Sequence, residues 1–275
     1  MGFECVVETG KFTKVIVNHT HSDYAVTTAE GNPYKSTITY GAVKIKNIGI
    51  FKRTYNKSRK PSVGDNCPML YALKNMNNLR TNFRSVYLLY IEFLKIVDLI
   101  LTEECNHWDV IIILPSSSLL TKRFAERLAK KMTIQMPDIF LLEPFKKVTF
   151  EDVNNDLNYL KVNNLIKSQA QTNIRQDIKK FIKKNNIPLG SSFQMKAIDK
   201  KYRHHIKPFK LKDLNEDIML KLSECKKILL VDDMLNSGTS IISARSLLAD
   251  LLSKDIKNIE IGSMTLFSKT KGIRQ

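Results

Sequence analysis

The run ILLVDDMLNSGTS, Ile228 to Ser240, leaves the chain few architectures. Four consecutive apolar residues, Ile228 to Val231, read as a short strand buried on both faces, as in a parallel sheet. Two adjacent carboxylates follow, Asp232 and Asp233, with the strand expected to end at Val231. A small loop of Asn236, Ser237, Gly238, Thr239 and Ser240 then leads into an apolar-periodic stretch that reads as a helix, Ser240 to Leu252. In open α/β sheets, ligands bind beyond the carboxyl ends of the strands. A helix N-terminus offers unpaired N–H groups and a positive dipole end, which suit a phosphate. Gly238 permits close backbone approach, and the hydroxyls of Ser237, Thr239 and Ser240 supply donors. A phosphate cradle beside a carboxylate pair fits a sugar phosphate, with its hydroxyls on the acids. No Gly-Lys-Ser/Thr follows, so the loop is not a nucleotide-triphosphatase P-loop.

The remaining chain alternates in the same style. Lys14–Val17, Ser36–Tyr40 and Ala42–Phe51 read as strands, and Asn56–Asn66 as a loop. Helical periodicity runs from Pro68 to Thr102, with Val86, Tyr90, Leu94 and Leu101 near one face and Leu89, Phe93 and Val97 beside them. Val110–Leu114 and Ile139–Leu142 are short apolar runs expected as buried strands. Leu119–Met132 lies between them as a helix, and Ile259–Phe267 is a final strand. Helices and strands in alternation predict an α/β fold with a parallel sheet flanked by helices. The expected organisation is an N-terminal β-rich segment, 1–66, and an α/β domain, 67–275. Within the latter, 143–226 is a long polar and basic stretch with one helix, Leu165–Lys184.

The Ile228–Ser240 run resembles the phosphoribosyl-pyrophosphate (PRPP) motif of type I phosphoribosyltransferases, closest to ComF-type, competence-associated members. The segments LYALK (Leu70–Lys74), WDVIIILPSSS (Trp108–Ser118), FAERLAKKM (from Phe124) and IEIGSMTLF are similar to the family's flanking parts. Asn236 departs from the family's usual Thr but still donates to phosphate. The resemblance implies a glycosyltransferase that moves phosphoribosyl from PRPP to a base or macromolecular acceptor and releases pyrophosphate. Asp232 and Asp233 would hold the ribose hydroxyls as catalytic residues, and Asn236 to Ser240 the 5-phosphate. Pro115, Ser116, Ser117 and Ser118 would hold the pyrophosphate. The stretch 143–226 would be a long basic hood insertion, with 1–66 as an extra β domain or a second hood element. Arg203 would be a hood contact, a solvated basic turn being the alternative there. Mg²⁺ would be the cofactor, held mainly through PRPP without dedicated protein ligands. The alternatives are a non-catalytic PRPP sensor that binds nucleic acid, and a component of a retron or antiviral-defence ribonucleoprotein.

Composition adds a second partner class. The formal net charge is +17. Between Lys161 and Lys227, 17 basic residues face 6 acidic ones, so about two-thirds of the excess falls in a quarter of the chain. RNA or DNA is the polyanion expected over 161–227; the competing reading is lysine on a solvated face. No C-x-x-C pair exists among Cys5, Cys67, Cys105 and Cys225, which argues against a zinc ribbon. His19, His21 and Asp23 imitate the start of a metallo-β-lactamase motif, but Tyr24 replaces its next His, so a polar turn is expected. No signal peptide or membrane span is legible, Val6 disfavours myristoylation, and a cytoplasmic protein is expected, as a homo-oligomer or complex subunit.

Overall fold

The computed structural model describes all residues except 9–11, 21–22, 55–65, 104–106, 164–165, 253–257, 270–272 and 275. His21 and most of the 56–66 loop therefore lie outside the described residues. In chain order come β1 (Gly2–Glu8), β2 (Phe12–Asn18), β3 (Ala25–Val26), β4 (Tyr34–Tyr40) and β5 (Val43–Arg53). Then follow α1 (Pro68–Leu73), β6 (Leu79–Arg80), α2 (Phe83–Leu101), β7 (Val110–Ile113), α3 (Leu120–Met132) and β8 (Phe140–Leu142). The middle of the chain holds β9 (Phe145–Lys147), α4 (Phe150–Val162), α5 (Ser168–Asn185), β10 (Phe209–Leu211) and α6 (Glu216–Glu224). The last elements are β11 (Lys227–Met234), α7 (Thr239–Leu252), β12 (Glu260–Ser268) and β13 (Ile273–Arg274).

Two compact units result: Met1–Glu143 with Glu216–Gly238 and Leu252–Gln275, and Pro144–Asn215 with Thr239–Leu251. The first contains an eight-stranded sheet in the order β13-β4-β5-β12-β11-β7-β8, with β3 also on β5. From β5 to β8 every neighbouring pair is parallel. The sheet as a whole is mixed rather than parallel, because β4 and β3 join β5 antiparallel. The β4–β5 connection is only Gly41-Ala42, with Gly41 at φ 55, and so short a link joins antiparallel strands only. Residues 1–66 thus supply β5 to the central sheet beside β12, while β1 and β2 form a smaller sheet with β6.

Burial explains the central strands. Ile228, Leu229, Leu230 and Val231 are all fully buried, as are Val110, Ile111 and Ile112. Leu229, Val231, Ile111, Ile113, Met264 and Leu266 share one core with α2 and α3, while Ile228, Leu230 and Ile112 alternate to the other face. Each such side chain contributes about 1.5–3 kcal/mol on full burial. Helix α2 starts where the Asn82 side chain accepts from Ser85 N at 2.8 Å. It buries Leu89, Phe93, Ile96, Val97 and Ile100, so the packed stripe is the one beside the Val86–Tyr90 face; Val86 and Tyr90 are exposed.

The second unit has its own core of Val148, Phe150, Val153, Leu157, Ile174, Ile178 and Phe193. Phe150 meets Phe193 edge-on at 5.1 Å. Helix α5 covers most of the expected Leu165–Lys184 span, and Leu165 itself lies outside the described residues. Helix α4 is an addition, started by a capping box in which Thr149 and Asp152 exchange side chain-to-backbone bonds of 3.0 and 2.7 Å.

Candidate functional site

The acid pair sits on β11 rather than after it. The parallel register continues past Val231, with Asp232 opposite Thr265 and Met234 opposite Phe267. The pleat therefore sends the two carboxylates to opposite faces. Asp232 is half-buried, and its Oδ1 accepts from the Asp233 backbone N–H at 2.8 Å. Asp233 is buried, with 6% of its surface exposed.

Burying a carboxylate is costly unless donors surround it. Asp233 Oδ2 meets three: Ser116 Oγ at 2.8 Å, Thr121 Oγ1 at 2.9 Å and Lys74 Nζ at 2.6 Å. Ser116 lies beyond β7, Thr121 in the first turn of α3, and Lys74 just past α1. One buried carboxylate thus ties the end of β11 to the loop after its neighbour β7. It also anchors the helix that leaves that loop. Lys74 is largely buried as well, which strengthens the ion pair. Arg53, at the end of β5, is buried nearby: with Lys74 and Asp233 it acts electrostatically on the Cys67 thiol. Burial dominates there and pushes that thiol up to about 11.

The loop Pro115–Ser118 is held from within. Leu114 N donates to Val231 O at 3.0 Å, Ser118 N to Ser116 Oγ at 3.4 Å, and Leu120 N to Ser118 Oγ at 3.3 Å. Ser117 is exposed, and Pro115, Ser116 and Ser118 are half-buried. Beyond β11, Leu235 N donates to Phe267 O at 2.8 Å, which fixes the start of the next loop. Asn236 is exposed, Ser237 half-buried and Gly238 buried. Gly238 adopts φ 75, and a Cβ there would lie 2.7 Å from Ile38 Cγ2. Both conformation and space therefore require glycine at this turn. Thr239 and Ser240 open α7 and are counted in the second unit.

Of the sequence-derived candidates, the structure joins Ser116 to Asp233 directly. Arg203 belongs to the second unit, in a 3-10 turn from Lys200 to His205, where its Nε donates to Ile198 O at 3.1 Å. Thr121 and the role of Lys74 were not foreseen. Among the described residues, no three His, Cys, Asp or Glu side chains converge to hold a metal, and no helix is long and apolar enough to cross a membrane.

Fold and site define a mixed α/β protein: a multistrand sheet flanked by helices, with an acid pair and a glycine turn at one strand end. Searches of protein-family models, curated proteins and solved structures found no match to this chain.

Proposed function

We propose that the chain binds PRPP and transfers its phosphoribosyl group to an acceptor with release of pyrophosphate. The observation that carries this reading is the Asp233–Ser116 hydrogen bond. It brings the loop expected to bind pyrophosphate beside the strand that carries the acid pair and leads to the phosphate loop. The parallel neighbours also suit a type I phosphoribosyltransferase: β11 lies between β7, which precedes Pro115–Ser118, and β12.

The two acids divide their work. Asp232, half-buried at the strand end, is assigned to the ribose hydroxyls. Asp233, engaged by three protein donors, is a positioning residue that holds the pyrophosphate loop in register. The turn Asn236–Gly238 and the hydroxyls of Thr239 and Ser240 at the start of α7 are assigned to the 5-phosphate. The Asp232 carboxylate and the hydroxyl-rich loops are compatible with an Mg²⁺ ion that would be held mainly through PRPP. That ion would neutralise the charge building on the pyrophosphate. The chain itself supplies orientation and donors aimed at the leaving group.

Mixing the protein with PRPP, Mg²⁺ and a panel of purine, pyrimidine and nucleic-acid acceptors tests the transfer. Pyrophosphate release that needs one acceptor is expected, with loss in Asp232→Asn. PRPP binding without release for any acceptor would replace the transferase by a sensor.

A further inference from the structure

The second unit carries a groove of about 510 Å³ whose lining, Arg203 apart, has no part in the PRPP reading. Lys180 and Lys184 line it from α5, one turn apart on one face; Lys196 lines it from a 3-10 turn, Met195–Ala197, and Arg203 from the Lys200–His205 turn. Phe181 forms part of the wall, with Lys196 Nζ 5.8 Å from its ring centre. Two acids are also present, and both are committed to the backbone. Asp177 Oδ2 accepts from Asp199 N at 3.1 Å, and Asp199 Oδ1 from Lys201 N at 3.1 Å. Among the described residues, Lys180, Lys184 and Lys196 form no ion pair. The four cations of the lining outnumber the two carboxylates, so the groove keeps a net positive charge that favours an anion.

We propose that this groove binds the phosphate backbone of a nucleic acid. A small anion would engage two or three cations, but the charge does not stop at the rim. Lys183, three residues on from Lys180 along α5, is exposed beside it, and Lys201, within the Lys200–His205 turn, is exposed as well. Several cations in and beside the groove, next to an aromatic wall, suit an extended strand of phosphates better than a single one. Arg203 adds a further positive charge to the lining. Apart from Arg203, expected from the sequence as a hood contact, the groove shares no residue with the PRPP site, and the variant below leaves Arg203 intact, so the two proposals are tested separately.

The test uses the full chain and a fluorescent oligodeoxythymidylate of about 20 nucleotides, read by anisotropy across a salt series. Wild type is compared with a groove variant, Lys180→Gln/Lys184→Gln/Lys196→Gln. A control, Lys44→Gln/Lys130→Gln/Lys226→Gln, removes the same charge from exposed sites of the first unit. The groove variant is expected to bind about tenfold or more weakly at 0.1 M salt and to flatten the log–log salt slope by about 2, one 0.7 step per lost phosphate contact. The control should stay close to wild type, and PRPP titrations should agree for all three proteins. Equal losses in both variants would reduce the groove to diffuse charge and overturn the proposal. Absence of wild-type binding at low salt would do so too. So would polyglutamate of matched charge binding as tightly as the oligonucleotide, which points to an acidic protein partner instead.

Discussion

At the residue scale, Asp233 and Asp232 have different roles although they adjoin. Asp233→Ala leaves the Lys74 ammonium buried without its partner, and breaking such a pair costs about 3–5 kcal/mol. Urea unfolding should show that loss, whereas Asp232→Asn should change stability by under about 1 kcal/mol. Equal destabilisation by the two variants would contradict the division of roles. Cys67 offers an independent check: its thiol is buried and held at about 11, so it should resist iodoacetamide at neutral pH in the folded protein and react after unfolding. The acids, Ser116 and the glycine turn were legible in sequence because each sits at the end of an apolar run. Lys74 and Thr121 were not readable as partners of Asp233. Thr121 lies 112 positions away, and only the parallel register of β7 and β11 brings its helix to the carboxylate.

At the element scale, caps and turns decide where segments start. Thr149→Ala should cost about 1 kcal/mol by removing the cap of α4. The T-x-x-D pattern at Thr149–Asp152 was available in the sequence, yet the polar composition of 143–226 obscured the helix it begins. Asp152 also titrates. The Lys210 ammonium, followed by the Thr149 N–H, holds its carboxyl below the ordinary 3.8. A folded-state value below the unfolded one means that the carboxylate adds stability above 3.8 and loses it as pH falls toward the folded value. Asp152→Asn should therefore destabilise at pH 7 and be less sensitive to acid, by thermal melts from neutral pH to about 2.5. Parallel curves for both proteins would contradict this. Gly238→Ala should cost about 1–2 kcal/mol from its left-handed backbone alone, before the Ile38 contact is counted. A bulkier residue there perturbs the fold as well as any phosphate site, so Asp232→Asn is the cleaner probe.

At the scale of the whole molecule, sequence periodicity recovered the α/β alternation, since buried strands and amphipathic helices write their own patterns. It missed the antiparallel entry of β3 and β4, because strand direction depends on which neighbour a strand meets, not on its own residues. It also left open the role of the first 66 residues, of which β5 lies in the middle of the central sheet beside β12. The direct test of the central claim is a calorimetric titration of the full chain with PRPP and Mg²⁺, beside the same titration of Asp232→Asn. One PRPP per chain is predicted for wild type. For the variant, affinity should be about tenfold or more lower at an unchanged melting temperature, as expected for a lost hydrogen bond to a charged acceptor. No binding by folded wild-type protein, or equal affinity in the variant, would contradict it.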